Sequence, residues 1–242
     1  MRIGFIGAGN MASALARGWG KPVYASDSGS GRAQQLVDEL GGEALTNEQV
    51  FERADVVILA HKPYQLEAVA EGITTDKLVV SILGRATVAE IEAVYPRSPV
   101  IRVEPNTPTA VRRGVSVLAA SDRPEAQLVK DLFERVGSVV EVPERLLDVA
   151  GAVTGVGPAY WALFVEAYTD AAIRHGIPAA QAATLVTETM AGTAALLTQT
   201  DTLALRRGVT SPGGSTARGL AALERGGVRA ALAQAMDDVV GG

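Results

Sequence analysis

Arg2-Ile3-Gly4-Phe5-Ile6-Gly7-Ala8-Gly9-Asn10-Met11-Ala12-Ser13-Ala14-Leu15 stands at the start of the chain, and its reading decides the fold. The apolar run Ile3 to Ile6 predicts a short core strand, Gly7 to Gly9 interrupts it, and Ala12, Leu15 and Ala16 then recur at helical spacing. Strand, tight turn and helix start in that order make a G-x-G-x-x-A dinucleotide fingerprint. Gly7 permits the turn, Gly9 lets a pyrophosphate approach the backbone, and Ala12 is small enough for the helix to pack on the strand. The phosphates would rest on free N–H groups at the helix N-terminus, where the helix dipole favours negative charge. A glycine turn alone is weak evidence. Here the flanking strand and helix agree with it, as does Asp27 at the end of the next apolar strand, Val23 to Asp27.

Working outward, Ser28 to Gly31 is a loop and Arg32 to Leu40 a helix stopped by Gly41-Gly42. Asp55 to Ala60 and Lys77 to Leu83 read as buried strands, each followed by helical periodicity at Leu66 to Glu71 and Val88 to Val94. Strands alternating with helices predict an α/β, Rossmann-type, doubly wound parallel sheet. Pro99 to Val103 and Val115 to Ala119 extend it, Val139 to Val142 ends it, and residues 1–143 form the dinucleotide-binding domain.

Ligands of such sheets lie beyond the carboxyl ends of the strands. His61-Lys62-Pro63 follows one strand: Lys62 can reach cofactor phosphate or ribose or be a solvated turn residue, Pro63 fixes the loop, and His61 reads more readily as a loop wall than as a proton carrier. After another strand, Pro105 and Pro108 bracket Asn106, which can orient a carboxamide or simply bond its own backbone. Asp27 suits a ribose 2′-hydroxyl and hence NAD, whereas Ser26, Ser28, Ser30 and Arg32 beside it suit a 2′-phosphate, so both NADH and NADPH stay open. The expected cofactor-binding residues are Gly7, Ala8, Gly9, Asn10, Met11, Ser26, Asp27, His61, Lys62, Pro63 and Asn106.

Composition narrows the function. With 242 residues and 48% apolar content the chain can build a large core, and a net charge of −5 without a basic stripe argues against nucleic acid. No cysteine and only His61 and His175 leave no thiolate site and few imidazoles for a metal. The first apolar segment lacks the basic start of a signal peptide, and Val149 to Val165, interrupted by Gly155, Gly157 and Pro158, reads as a buried helix rather than a membrane span. The expected location is the cytoplasm.

From Glu144 the strand pattern gives way to helices at 146–174, 179–197, 202–207, 215–225 and 228–240. Several are apolar on more than one face, so this 144–242 domain is expected to be covered by a second copy of itself in an obligate homodimer. The two glycines and Pro158 in Thr154 to Tyr160 predict a kink or restart. Thr210-Ser211-Pro212-Gly213-Gly214-Ser215-Thr216 leads into a helix whose first amides form an anion nest suited to a small carboxylate; the plain alternative is a turn with a Ser/Thr cap.

Taken together, these residues resemble the pyrroline-5-carboxylate reductase family over nearly the full length. The likeness rests on Gly7 to Met11, Lys62-Pro63, Ile101-Arg102 followed by Pro105 to Pro108, Gly157 to Tyr160, and Ser211 to Gly214 with Thr216. It implies NAD(P)H-dependent reduction of the cyclic imine 1-pyrroline-5-carboxylate to L-proline, and an intertwined helical dimer often built into a ring of dimers. By that resemblance Thr216 is the catalytic residue, hydrogen-bonding the imine nitrogen, and Ser211, Gly213, Gly214 and Ser215 complete the substrate site. The proton can arrive with the substrate or from a hydroxyl, and orientation supplies most of the acceleration.

The chain departs from the family pattern in three places. Glu104 stands where methionine is usual, Val156 where serine is usual, and the loop Gly18 to Lys21 is short. These leave a related imine reductase, or a non-catalytic nucleotide-binding regulator, as alternatives. A β-hydroxyacid dehydrogenase would want a lysine in the helical half, and the lysines are at 21, 62, 77 and 130.

Overall fold

All four residues of β1 (Ile3–Ile6) are buried, as befits the middle strand of a sheet covered on both faces. The computed structural model describes residues 1–241. From β1 the chain continues through α1 (Asn10–Trp19), β2 (Val23–Ser26), α2 (Arg32–Leu40), β3 (Gly42–Ala44), α3 (Asn47–Arg53), β4 (Val56–Leu59) and α4 (Leu66–Ala70). It then forms β5 (Leu78–Ser81), α5 (Val88–Val94), β6 (Val100–Glu104), β7 (Gly114–Ala119), α6 (Glu125–Glu134), β8 (Gly137–Val142) and α7 (Leu147–Thr154). The strands make one sheet in the order β3-β2-β1-β4-β5-β6-β7-β8. The order reverses at β1, where Gly4 is in register with Tyr24 on one side and Val57 on the other. A crevice opens beyond the strand ends at such a reversal.

The two faces carry separate apolar layers. On one, Phe5 stacks on Trp19 at 6.0 Å, Trp19 meets Phe133 edge-on at 5.6 Å, and the indole donates to the Leu132 carbonyl. On the other, Ile6, Val57 and Val79 pack with Phe51 and Tyr95. Together they hold the β1–α1 turn on a rigid base.

Two features differ from the expected parallel sheet. β6 and β7 run antiparallel, with Val103 opposite Leu118, because only a short 3₁₀ turn at Thr107–Val111 joins them; a parallel return needs a longer crossover. β3, polar and fully exposed, has no apolar signature and is recruited as an edge strand beside β2.

The first compact unit runs Met1–Pro158, past the Pro143 point where the strand pattern stops. Its extension comes from α7, whose Leu147 is fully buried with Val117 and Ala119 of β7.

The second unit, Ala159–Gly242, is helical. It comprises α8 (Gly157–Arg174, entered from the first unit), α9 (Ala179–Leu196), α10 (Thr202–Gly208), α11 (Ser215–Arg225) and α12 (Val228–Val240). The kink or restart expected at Thr154 to Tyr160 is a restart: Gly155 and Val156 separate α7 from α8, and Pro158, lacking an N–H, suits a first helical turn, while the burial expected over Val149 to Val165 is not met within this chain along α8. No residue of α8 is buried; Trp161, Leu163 and Tyr168 are 56%, 63% and 66% exposed. Residues 144–174 taken together are also long and apolar enough, by length and composition alone, to cross a membrane.

Candidate active site

A candidate cofactor site in the first unit is the cleft beside the β1–α1 turn. Gly7 sits at φ +99°, and a Cβ there would lie 2.8 Å from both the Ala60 carbonyl carbon and the His61 nitrogen, so only glycine fits. Gly9 caps α1 without a side-chain bond, and nothing lies within 4 Å of where its Cβ would be. The space beside Gly9 is therefore open at the N-terminus of α1, where the first amides lack intrahelical partners and the helix dipole is positive. Gly7, Ala8 and Gly9 line this cleft, with Asn10 and Met11 following in the first turn of α1.

Asp27, Ser28, Ser30 and Arg32 form the far wall. The Asp27 carboxylate is turned into its own loop, accepting from the N–H groups of Gly29 (2.7 Å) and Ala33 (2.8 Å) and from the Ser30 hydroxyl (3.1 Å). Burial pushes its pKa up, but these bonds outweigh burial and hold it below the ordinary carboxylate range. Ser26 does not line the cleft: it is 2% exposed, and its hydroxyl donates to Asn47 Oδ1 at 2.7 Å. Its work is to orient Asn47, a lining residue that the sequence reading overlooks. The signal was available, since Asn47 follows Thr46, which caps α3 in a reciprocal box with Gln49.

His61 and Lys62 line the cleft directly beside the turn, the His61 backbone lying against Gly7, and Pro63 begins the 3₁₀ turn that fixes them. His61 Nδ1 lies 2.9 Å from the Lys62 carbonyl, which can only accept, so Nδ1 carries the proton and Nε2 is an acceptor. Burial lowers the pKa of the imidazole, outweighing its bond to Lys62. Nε2 is buried and makes no hydrogen bond. Open space at Gly9, uncapped amides and an unpartnered imidazole acceptor together fit a dinucleotide, whose phosphates accept and whose ribose hydroxyls donate.

Asn106 is placed otherwise than expected. Its amide donates to the Thr154 carbonyl (3.1 Å) and accepts from the Val115 N–H (2.8 Å), so both ends tie its loop to α7 and β7 rather than facing the cleft.

Beside it lies a charge cluster that Glu104 only hinted at in the sequence. Arg102, 2% exposed, donates to Asp148 (2.6 Å) and Glu104 (3.2 Å) and lies 3.6 Å from Glu144. Glu104 and Asp148 accept from the same Arg102 nitrogen, Nη2, which brings the two carboxyls together. Burial pushes the Glu104 carboxyl up to about 7 despite Arg102, with Asp148 adding to the rise. Asp148 is raised by burial but lowered further by Arg102, leaving it below its ordinary range.

In the second unit, the bend before α11 places Gly213 at φ +70°, and Gly214 caps the helix without a side-chain bond. A Cβ on Gly214 would overlap Ser211 Oγ. Arg218 donates to the Gly213 carbonyl at 2.8 Å, fixing the bend. Ser215 and Thr216 are exposed at the start of α11; the Gly214 N–H is taken by the Ser211 carbonyl at 3.1 Å, which leaves the Gly213, Ser215 and Thr216 amides and the Ser211, Ser215 and Thr216 hydroxyls for a ligand. The Ser/Thr cap that was the plain alternative is absent, because Gly214 holds the cap position.

Comparison with known proteins finds a family match for each part of the chain. Residues 144–241 match the family described as pyrroline-5-carboxylate reductase dimerisation, and residues 2–85 the one described as NADP oxidoreductase coenzyme F420-dependent. A pyrroline-5-carboxylate reductase of Synechocystis is 35% identical, the match covering 98% of this chain and 94% of that protein. The solved 1-pyrroline-5-carboxylate reductase of Streptococcus pyogenes superposes with a TM-score of 0.90 at 29% identity, covering 99% of this chain and 96% of that one. The Plasmodium falciparum pyrroline carboxylate reductase, solved with NADP bound, gives 0.87 at 27% identity over 99% and 95%. With 35% identity to a curated reductase over nearly the whole of both chains, the chain belongs to the pyrroline-5-carboxylate reductase family.

Proposed function

We propose that this protein reduces 1-pyrroline-5-carboxylate to L-proline in the cytoplasm, using NADH or NADPH, with residues 1–143 binding the cofactor and residues 144–242 the substrate and a second copy. The observation that carries the reading is the uncapped start of α11 behind the Pro212-Gly213-Gly214 bend, with Thr216 exposed on its first turn. Amides in that arrangement bind a small carboxylate.

The reduced nicotinamide supplies the hydride when it is bound. The amides of Gly9 to Met11 hold the pyrophosphate, His61 Nε2 accepts from a ribose hydroxyl, and the Ser28–Arg32 wall lies along the adenosine end. Lys62 and the Pro63 turn close over the phosphates. At α11, the Gly213 and Ser215 amides and the Ser211 hydroxyl hold the substrate carboxylate, Gly214 keeps the bend closed through its bond to the Ser211 carbonyl, and the Thr216 hydroxyl holds the proton on the ring nitrogen. As the imine carbon gains the hydride, the nitrogen keeps that proton and leaves as a secondary amine. Acceleration then comes chiefly from fixing two small reactants in line.

The apolar faces of α8 and the helices after it are covered by a second copy rather than by lipid, in a homodimer that can close into a ring of dimers. Glu166 and Asp170 within α8, and the break before it, suit a protein interface better than a bilayer. Incubation with pyrroline-5-carboxylate should oxidise the cofactor in step with proline formation. Turnover of a different imine alone would make the protein a related imine reductase, and cofactor binding without turnover on any imine would make it a regulator.

A further inference from the structure

The Arg102 cluster lies outside the cofactor cleft and the α11 bend, and neither explains it. Arg102, on β6, is one buried cation facing two carboxylates at hydrogen-bond distance and a third, Glu144, from the turn before α7. Glu90 on α5 also feels the guanidinium, and the Arg85 backbone bonds Asp148. Glu104 is the most enclosed acid, its side chain 16% exposed against 37% for Glu144 and 53% for Asp148. A single guanidinium does not neutralise that set, and carboxylates in direct contact do not all ionise together. The enclosed member of the pair is the one to keep a proton.

The surroundings give that proton a mechanical role. Glu104 packs on the bare backbone of Gly151, where a Cβ would overlap Glu104 Oε2, and shares Arg102 Nη2 with Asp148, one turn earlier on α7. At the other end of α7, the Thr154 carbonyl receives the Asn106 amide. The loop after β6 is thus fastened to α7 at both ends, and α7 leads directly into Gly155-Val156-Gly157.

We propose that Glu104 is a positioning residue whose carboxyl, while protonated, donates to Asp148, bolting α7 to the end of β6 and so setting the attitude of the Gly155–Gly157 segment for substrate binding. The proton-holding part stands on the cluster alone; the part about substrate rests on the reductase reading above. Ionisation of Glu104 puts a second full charge against Asp148 and loosens one of the two fastenings.

The test compares wild type, Glu104→Gln and Asp148→Asn from pH 6 to 8.5. Glutamine keeps a donor toward Asp148 and cannot titrate. Difference infrared spectra should show a protonated carboxyl lost near neutrality in wild type, absent in E104Q, and titrating at lower pH in D148N. The melting temperature of wild type should fall relative to E104Q as pH rises. The ratio of wild-type to E104Q KM for pyrroline-5-carboxylate should grow several-fold over the same range while the kcat ratio stays flat; the substrate's own protonation cancels in the ratio. A Glu104 carboxyl ionised throughout, parallel melting curves, or a flat KM ratio overturns the proposal. Absence of imine turnover with the carboxyl titration and melting difference intact overturns the reductase reading and supports the bolt.

Discussion

Gly7 and Thr216 mark the two extremes of what a single residue does here. Gly7 is dictated by sterics, since its φ of +99° and the Ala60–His61 backbone 2.8 Å from a would-be Cβ leave no room for any side chain. Gly7→Ala should destabilise the fold by about 1–3 kcal/mol, the usual cost of a strained backbone, and weaken cofactor binding. Denaturant melts and cofactor fluorescence titration read the two effects separately. Thr216 is the converse case, exposed and free of structural bonds among the described residues. Thr216→Ala should leave the melting temperature nearly unchanged, as surface substitutions do, and lower kcat/KM by about 10- to 100-fold, the scale of losing one hydrogen bond to a charged group. An unchanged kcat/KM would remove Thr216 from the site.

At the scale of elements, α7 is held by charge as much as by packing. Arg102→Ala leaves Glu104 and Asp148 facing each other without their cation, and should cost about 3 kcal/mol, as breaking a largely buried pair does; urea unfolding measures it. Glu104 sets a pH dependence of definite sign. Its folded value of about 7 lies above the ordinary 4.5, so the stability it contributes is complete below pH 4.5 and lost as pH rises through 7. The loss amounts to at most about 3 kcal/mol. Asp148 and Asp27, held below their ordinary values, act oppositely and lose their contribution only in acid.

These elements also show what the sequence reveals and what it hides. The β1–α1 turn, the buried strands and the helix at Ser215 are legible because each is decided locally, by apolar runs, glycines and spacing. The antiparallel return of β7 and the exposed edge strand β3 are hidden, since pairing direction and edge recruitment depend on neighbours distant in sequence. The site divides in the same way. The Gly7–Gly9 cradle follows from its own residues, whereas Ser26 and Asn106 look like ligand contacts until their partners Asn47, Thr154 and Val115 are known.

For the whole molecule, the account turns on helices that one chain leaves uncovered. Trp161, Leu163 and Tyr168 of α8 are more than half exposed, far more apolar surface than a monomer of this kind keeps in water. Sedimentation should give at least twice the chain mass, and Leu163→Glu should shift it to monomer with loss of activity; a fully active monomer would contradict the role given to this half. The central claim, direct hydride delivery to a cyclic imine, is tested by supplying cofactor deuterated at the transferring position of the reduced ring together with pyrroline-5-carboxylate. The account predicts proline carrying one deuterium on the former imine carbon. Unlabelled proline, or cofactor oxidised without proline, would contradict it.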